Sequence, residues 1–177
     1  MRLFQPRVRP GFEWAIPVHD ADHELLWGLG GTPRRSTWAP VRVDLLTTDD
    51  AGRPRSRADL PWLGEHVLVL RPAAAAALAP LLEPWGELLP LDCPDAELHL
   101  FHALAVLDAL DEDRSDIVKF DDGTVLAVDS YAFRPAAVTA PVFKVPQLLR
   151  GPLFVDERFA DAAAGLAGTD FVEVWSG

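Results

Sequence analysis

At 177 residues, 49% of them hydrophobic and 24% charged, the chain is long enough for one domain with its own core. A single cysteine, Cys93, excludes an internal disulfide and a cysteine metal cluster, and no run reaches the ~18 apolar residues of a membrane helix. The net charge of −11 argues against a nucleic-acid partner, whose backbone is held largely by Lys and Arg.

The opening "MRLFQPRVRPGFEW" lacks the apolar stretch of a secretory signal, so a cytoplasmic location is expected. "HDADHELLWGLGG" then reads as a short helix with acids in its first turn and Gly28, Gly30 and Gly31 as stops. "PVRVDLLT" alternates Val41, Val43 and Leu45 as a half-buried strand, and "TTDDAGRPRSR" is a polar turn. From Glu65 the pattern sharpens. "HVLVL" is a strand, "RPAAAAALAPLLEPWG" a helix opened by Pro72 and kinked or ended at Pro80, and "ELLPL" a strand. Trp85, between this helix and strand, is expected to pack against the sheet as a core residue. "ELHLFHAL", "DIVKF", "TVLAVDSYAF" and "PVFKV" are rich in β-branched and aromatic residues and read as strands. "FDDGTV" is a hairpin turn with Asp122-Gly123 supplying φ > 0. "PLFV", a helix "ERFADAAAGLAG" capped by Asp156, and "DFVEVW" repeat the strand–helix–strand order. The expectation is α+β: a single domain over 1–177, a mostly antiparallel or mixed sheet, two strand–helix–strand units and a few short helices.

Charge is distributed unevenly. Residues 1–60 carry nine Arg against eight acids, net +1, whereas residues 61–177 carry nineteen acids against seven bases, net −12. Seven acids fall between Asp108 and Asp122, against only Arg114 and Lys119. Asp111, Asp113 and Ser115 match the first three ligand positions of a calcium loop, but Asp116 stands where its glycine is required and Asp122 where its Glu is required. A capped turn at Asp108 or Asp111 leading into a hairpin is the better reading. His19 and His23 are spaced as zinc ligands on a helix, without the Glu of H-E-x-x-H and without a clear third ligand. His99 and His102 on a strand point to opposite faces. There is no G-x-S-x-G, P-loop or G-x-G-x-x-G, so neither a catalytic set nor a cofactor is expected.

The second half, in order, carries "HVLVLRPAAAAALAPLLEPWGELLPL", "LHLFHALAVLDALDEDRSDIVKFDDG" and "VFKVPQLLRGPLFVDERFADAAAGLAGTDFVEVW". It resembles the eleventh immunity-protein family of bacterial polymorphic toxin systems. The resemblance rests on Leu107–Ser115, Phe143–Val145, Pro152–Glu157 and Gly165–Phe171 and covers about 64–175, while residues 1–63 match poorly. It implies a non-catalytic cytoplasmic inhibitor that binds a toxin made by its own cell, and it carries no catalytic residues. A basic toxin domain is the expected partner, drawn by the acidic surface. The candidate contacts are the aromatic and Arg anchors Trp14, Trp27, Trp38, Arg34 and Arg35, with Asp111, Glu112 and Asp113 as the acidic contribution. The alternatives are a small metal-dependent hydrolase using His19 and His23, and an adaptor of a secretion system.

Overall fold

The computed structural model describes residues 1–177. Eleven strands and three α-helices follow in chain order. They are β1 (Arg2–Val8), β2 (Trp14–Pro17), α1 (Asp20–Trp27), β3 (Val43–Leu46), β4 (Leu68–Leu70), α2 (Pro72–Leu82), β5 (Gly86–Leu91) and β6 (Leu98–Ala103). Then come β7 (Asp116–Lys119), β8 (Val125–Ser130), β9 (Val142–Phe143), β10 (Phe154–Asp156), α3 (Glu157–Ala163) and β11 (Thr169–Ser176). The α+β class holds, but the strands divide into four sheets, ordered β11-β1-β10-β9, β2-β3, β4-β6-β5 and β7-β8. Every ladder between named strands is antiparallel, with parallel contact only at isolated bridges such as Val106–Lys144. No helix is long and apolar enough to cross a membrane.

The two strand–helix–strand units share one geometry. β4 and β5 each run antiparallel to β6, so they are parallel to one another with β6 between them. β10 and β11 likewise flank β1. Each helix therefore crosses over a central strand running the opposite way, and α2 and α3 pack together. Alanine makes this close packing possible. Ala74, Ala75, Leu78 and Leu82 form the buried face of α2, and Phe159 and Ala163 that of α3. These faces meet Phe4, Leu70, Phe101 and Val155 in the largest core cluster. Alternation along β6 then divides the interior, with Phe101 and Ala103 in this cluster and Leu98 and Leu100 in a second, beside Val43, Val67 and Leu89.

Local chemistry explains most boundaries. Asp156 caps α3 by accepting a hydrogen bond from the Phe159 amide at 3.1 Å. Pro72 opens α2 in its first turn. Pro80 does not end that helix, which runs on to Leu82; it stops at Glu83, itself still in helical backbone, because Pro84 has no N–H to continue the hydrogen-bond ladder. Arg71 and Glu13, both buried, form an ion pair. Glu13 also accepts from the Ala58 amide at 3.0 Å, and Arg71 Nε donates to the Ala58 carbonyl at 2.8 Å. This three-way contact ties the N-terminal segment to the start of α2.

Some expectations need correction. The opening segment, read only for a signal, contains β1, one of the two inner strands of the four-stranded sheet. Trp85 is half-buried rather than core. It packs on the edge of a third cluster built from Leu3, Phe133, Phe143 and Phe154, because it sits in the turn 83–85, before β5 begins at Gly86. In "FDDGTV" only Gly123 has positive φ, at +84°, so the turn draws on one glycine and not on an Asp-Gly pair. The turn after Leu110 is closed by the Asp111 carbonyl, which accepts from the Ser115 amide and hydroxyl, with no side-chain cap from Asp108 or Asp111.

Candidate partner-binding face

The acidic stretch folds as a turn followed by the β7–β8 hairpin. Leu110 is buried and Leu107 half-buried against the third cluster, which leaves the intervening and following acids facing outward. Asp108 pairs with Arg134 at 2.8 Å. Glu112 accepts from Lys119 at 2.8 Å and from Gln147 at 2.9 Å, contacts that hold its carboxyl below the usual range. Asp113 is exposed and Asp111 half-buried. Asp122 is exposed and closes its own turn, accepting from the Thr124 amide, which lowers its carboxyl.

The hairpin belongs to no larger sheet. Ile117 leans on the third cluster, but Val118, Phe120 and Leu126 point outward, with Phe120 53% and Leu126 55% exposed. Across a cleft of about 420 Å³ lies the turn 146–151, where Leu149 is also exposed. Arg150 continues the surface to α1: its guanidinium bonds Glu24 at 2.7 Å and lies 6.0 Å from the centre of the exposed Trp27 ring. Phe120, Leu126 and Leu149 were not among the residues expected from sequence. The signal for Leu126, an apolar run without polar alternation in "TVLAV", reads equally well as a buried strand.

Lys144 holds this region together. Phe143 and Val145 face the third cluster, so period-2 alternation sends the lysine to the opposite side. It is 1% exposed, and its ammonium donates to the carbonyls of Leu29 at 3.0 Å and Leu149 at 2.7 Å. The loop after α1 and the 146–151 turn are thus clasped by one side chain. Burial pushes the lysine down to about 8. His66, nearby and also buried, is pushed by burial down to about 4, with added repulsion from Lys144 and His23. The His66 ring lies so close to Gly64 that a Cβ there would stand 2.6 Å from it.

The histidines do not assemble a metal centre by helical spacing. α1 begins at Asp20, so His19 is its extended N-cap residue and lies off the helix that carries His23. His23 instead sits with Trp27, Trp62 and His66 around a second cleft of about 420 Å³. His99 and His102 do fall on opposite faces of β6, and His102 is buried with Nδ1 3.5 Å from Glu87. Burial lowers the His102 imidazole against the opposing pull of Glu87. No three His, Cys, Asp or Glu side chains converge on one point.

The remaining anchor candidates are dispersed. Trp14 is half-buried under the Arg55 guanidinium, 4.7 Å from its ring. Trp38 donates its indole N–H to the Pro90 carbonyl at 2.8 Å and packs on the second cluster. Arg34 and Arg35 have exposed side chains, and their backbone amides bind Glu87 at 2.7 and 3.2 Å. Burial tends to raise the Glu87 carboxyl, but those amides outweigh it and hold it low. Of the sequence candidates, Trp27 borders the 146–151 turn directly, and Glu112 reaches it through Gln147.

No protein-family model matches the chain, and no curated protein matches it.

Proposed function

We propose that this is an immunity protein: a non-catalytic inhibitor that binds a basic toxin domain of a polymorphic toxin system in the producing cell. Two lines support the reading. One is the ordered set of motifs along residues 64–175, described above as a resemblance. The other is the observation that carries it, the β7–β8 hairpin, which displays Val118, Phe120 and Leu126 within a strongly acidic stretch. From Asp108 to Ser130 there are eight acids against Arg114 and Lys119, a net charge of −6. Contiguous exposed apolar side chains with a charged rim mark an interaction surface more often than a solvated one. The rim raises the encounter rate with a basic partner and rejects acidic ones.

The test is co-expression with toxin domains encoded beside this protein. The expected result is restored growth, together with a stable complex by gel filtration when an inactivated toxin is mixed with the pure protein. Restored growth without a complex would point to an enzyme acting on the toxin's product. No protection against any adjacent toxin would remove the reading.

A further inference from the structure

We infer that β8 binds its partner by strand addition: an extended, positively charged segment of the toxin pairs along the free edge of Val125–Ser130. The inference rests on the toxin-binding reading for the nature of the partner, and adds where and how it is held.

Three observations converge on this edge. First, β8 has a ladder on one side only. Its backbone hydrogen bonds run to β7, and no other backbone group in the molecule bonds to Val125–Ser130. A row of unpaired N–H and C=O groups is a template for another strand. Second, the edge is only weakly protected: Leu126 and Asp129 fall out of register with β7, which bulges the strand, but charge and proline are nearly absent from it. Between Asp122 and Asp129 it has no charge and no proline, and Leu126 and Ala127 are both exposed. β7 is shorter and carries Asp116 and Lys119. Third, charge selects the occupant. The surrounding net charge of −6 favours a segment with Lys or Arg on alternate positions, and it opposes a second copy of this chain, which would bring the same acids face to face. The other long edges are different. β5 contains Pro90, whose carbonyl accepts from the Trp38 indole. β11 lies against β1, and Arg2 of that strand and Arg9 just beyond it pair with Glu173 and Asp170, so it offers no acidic field.

In strand addition the main-chain hydrogen bonds supply affinity and alternate side chains supply specificity. Apolar side chains of the incoming segment would rest beside Leu126 and the neighbouring cleft, with basic ones directed at the acids.

The probe is a synthetic peptide of alternating lysine and valine, about six residues long as is usual for a strand. A control peptide carries the same side chains with every backbone nitrogen methylated, which preserves charge and removes the donors. The unmethylated peptide is expected to bind and to slow hydrogen exchange at Val125–Ser130 but not along β11. Methylation should weaken binding about tenfold or more, since several backbone bonds are lost. Leu126→Lys, at a largely exposed position, should melt like the parent protein and bind the peptide more weakly. Equal binding by both peptides, no binding, or no protection at β8 overturns the inference. So does a dimer of the protein that Leu126→Lys dissolves. The same exchange measurement with an inactivated adjacent toxin separates the two levels. A toxin that binds without protecting β8 ends the strand-addition inference and leaves the immunity reading intact.

Discussion

Glu13 and Arg71 show how a single side chain can govern stability here. Both are buried, and each satisfies backbone groups of Ala58 as well as the other's charge. Removing one partner strands a buried charge, which costs about 3–5 kcal/mol. Glu13→Ala should therefore lower the denaturation midpoint strongly, with the slope of the transition unchanged; a midpoint like that of the parent would show the pair to be idle. Two buried bases make a second prediction. His66 is held near 4 in the folded chain and titrates near 6.5 when unfolded, so the unfolded state alone takes up a proton as pH falls through that window. Its contribution is complete above about 6.5 and lost toward 4. Lys144 follows the same sign in a higher window. Between about 8 and 10.5 the unfolded state holds the proton that the folded state has released, so stability should rise with pH there. Lys144→Met should flatten that rise in urea titrations, and an unchanged slope would mean the ammonium is better solvated than its burial indicates. None of these residues could be singled out from sequence. Burial of a charge depends on which distant backbone groups arrive beside it, and Glu13 and Arg71 are 58 positions apart.

At the scale of elements, α3 was readable because its signals are local. Asp156, the apolar residues that follow and the later glycines all act within one or two turns. Asp156→Ala should cost about 1 kcal/mol, within the ordinary range for a lost N-cap, and should show as a lowered melting temperature with the fold retained. β1 was not readable, for a physical reason. Its residues Leu3 to Pro6 are buried on both faces, so they show no alternation, and Pro6 in a central strand argues against a strand at all. The structure accommodates the proline because β10 pairs only with Leu3 and Phe4, leaving β1 laddered on one side alone at Pro6. The repeated crossover was visible as two strand–helix–strand patterns. The central strand of each was not, since β6 follows its unit in sequence and β1 precedes its own by more than a hundred residues. The candidate face has the same limitation: "TVLAV" announces a strand, and only the absence of neighbours around it in space turns Leu126 outward.

For the molecule as a whole, charge and contact are separable, and that separation can be measured. Attraction between the acidic stretch and the basic toxin proposed as partner would act over a distance set by salt, about 8–10 Å at physiological ionic strength, and so govern mainly the association rate. Exposed apolar groups act only on contact and govern dissociation. Not every acid suits the experiment. Reversing Glu112 would set a lysine against Lys119 and break the contact with Gln147, and Asp111 is half-buried in the turn that Ser115 closes. Asp113, Asp116 and Asp121 are exposed and have no ion-pair partner, so their replacement by Lys should leave the fold unchanged. With these three reversed, association with an inactivated toxin should slow and its salt dependence flatten, while the dissociation rate stays close to that of the parent. Phe120→Ala, and Trp27→Ala beside the 146–151 turn, should do the opposite, releasing the toxin faster with little change in association. Surface-binding kinetics at two salt concentrations read both effects. A triple reversal that acts chiefly on dissociation would make the acids the contact surface itself. If both alanine variants dissociate at the parental rate, the toxin is held elsewhere on the molecule, and Trp14, Trp38, Arg34 and Arg35 become the residues to change.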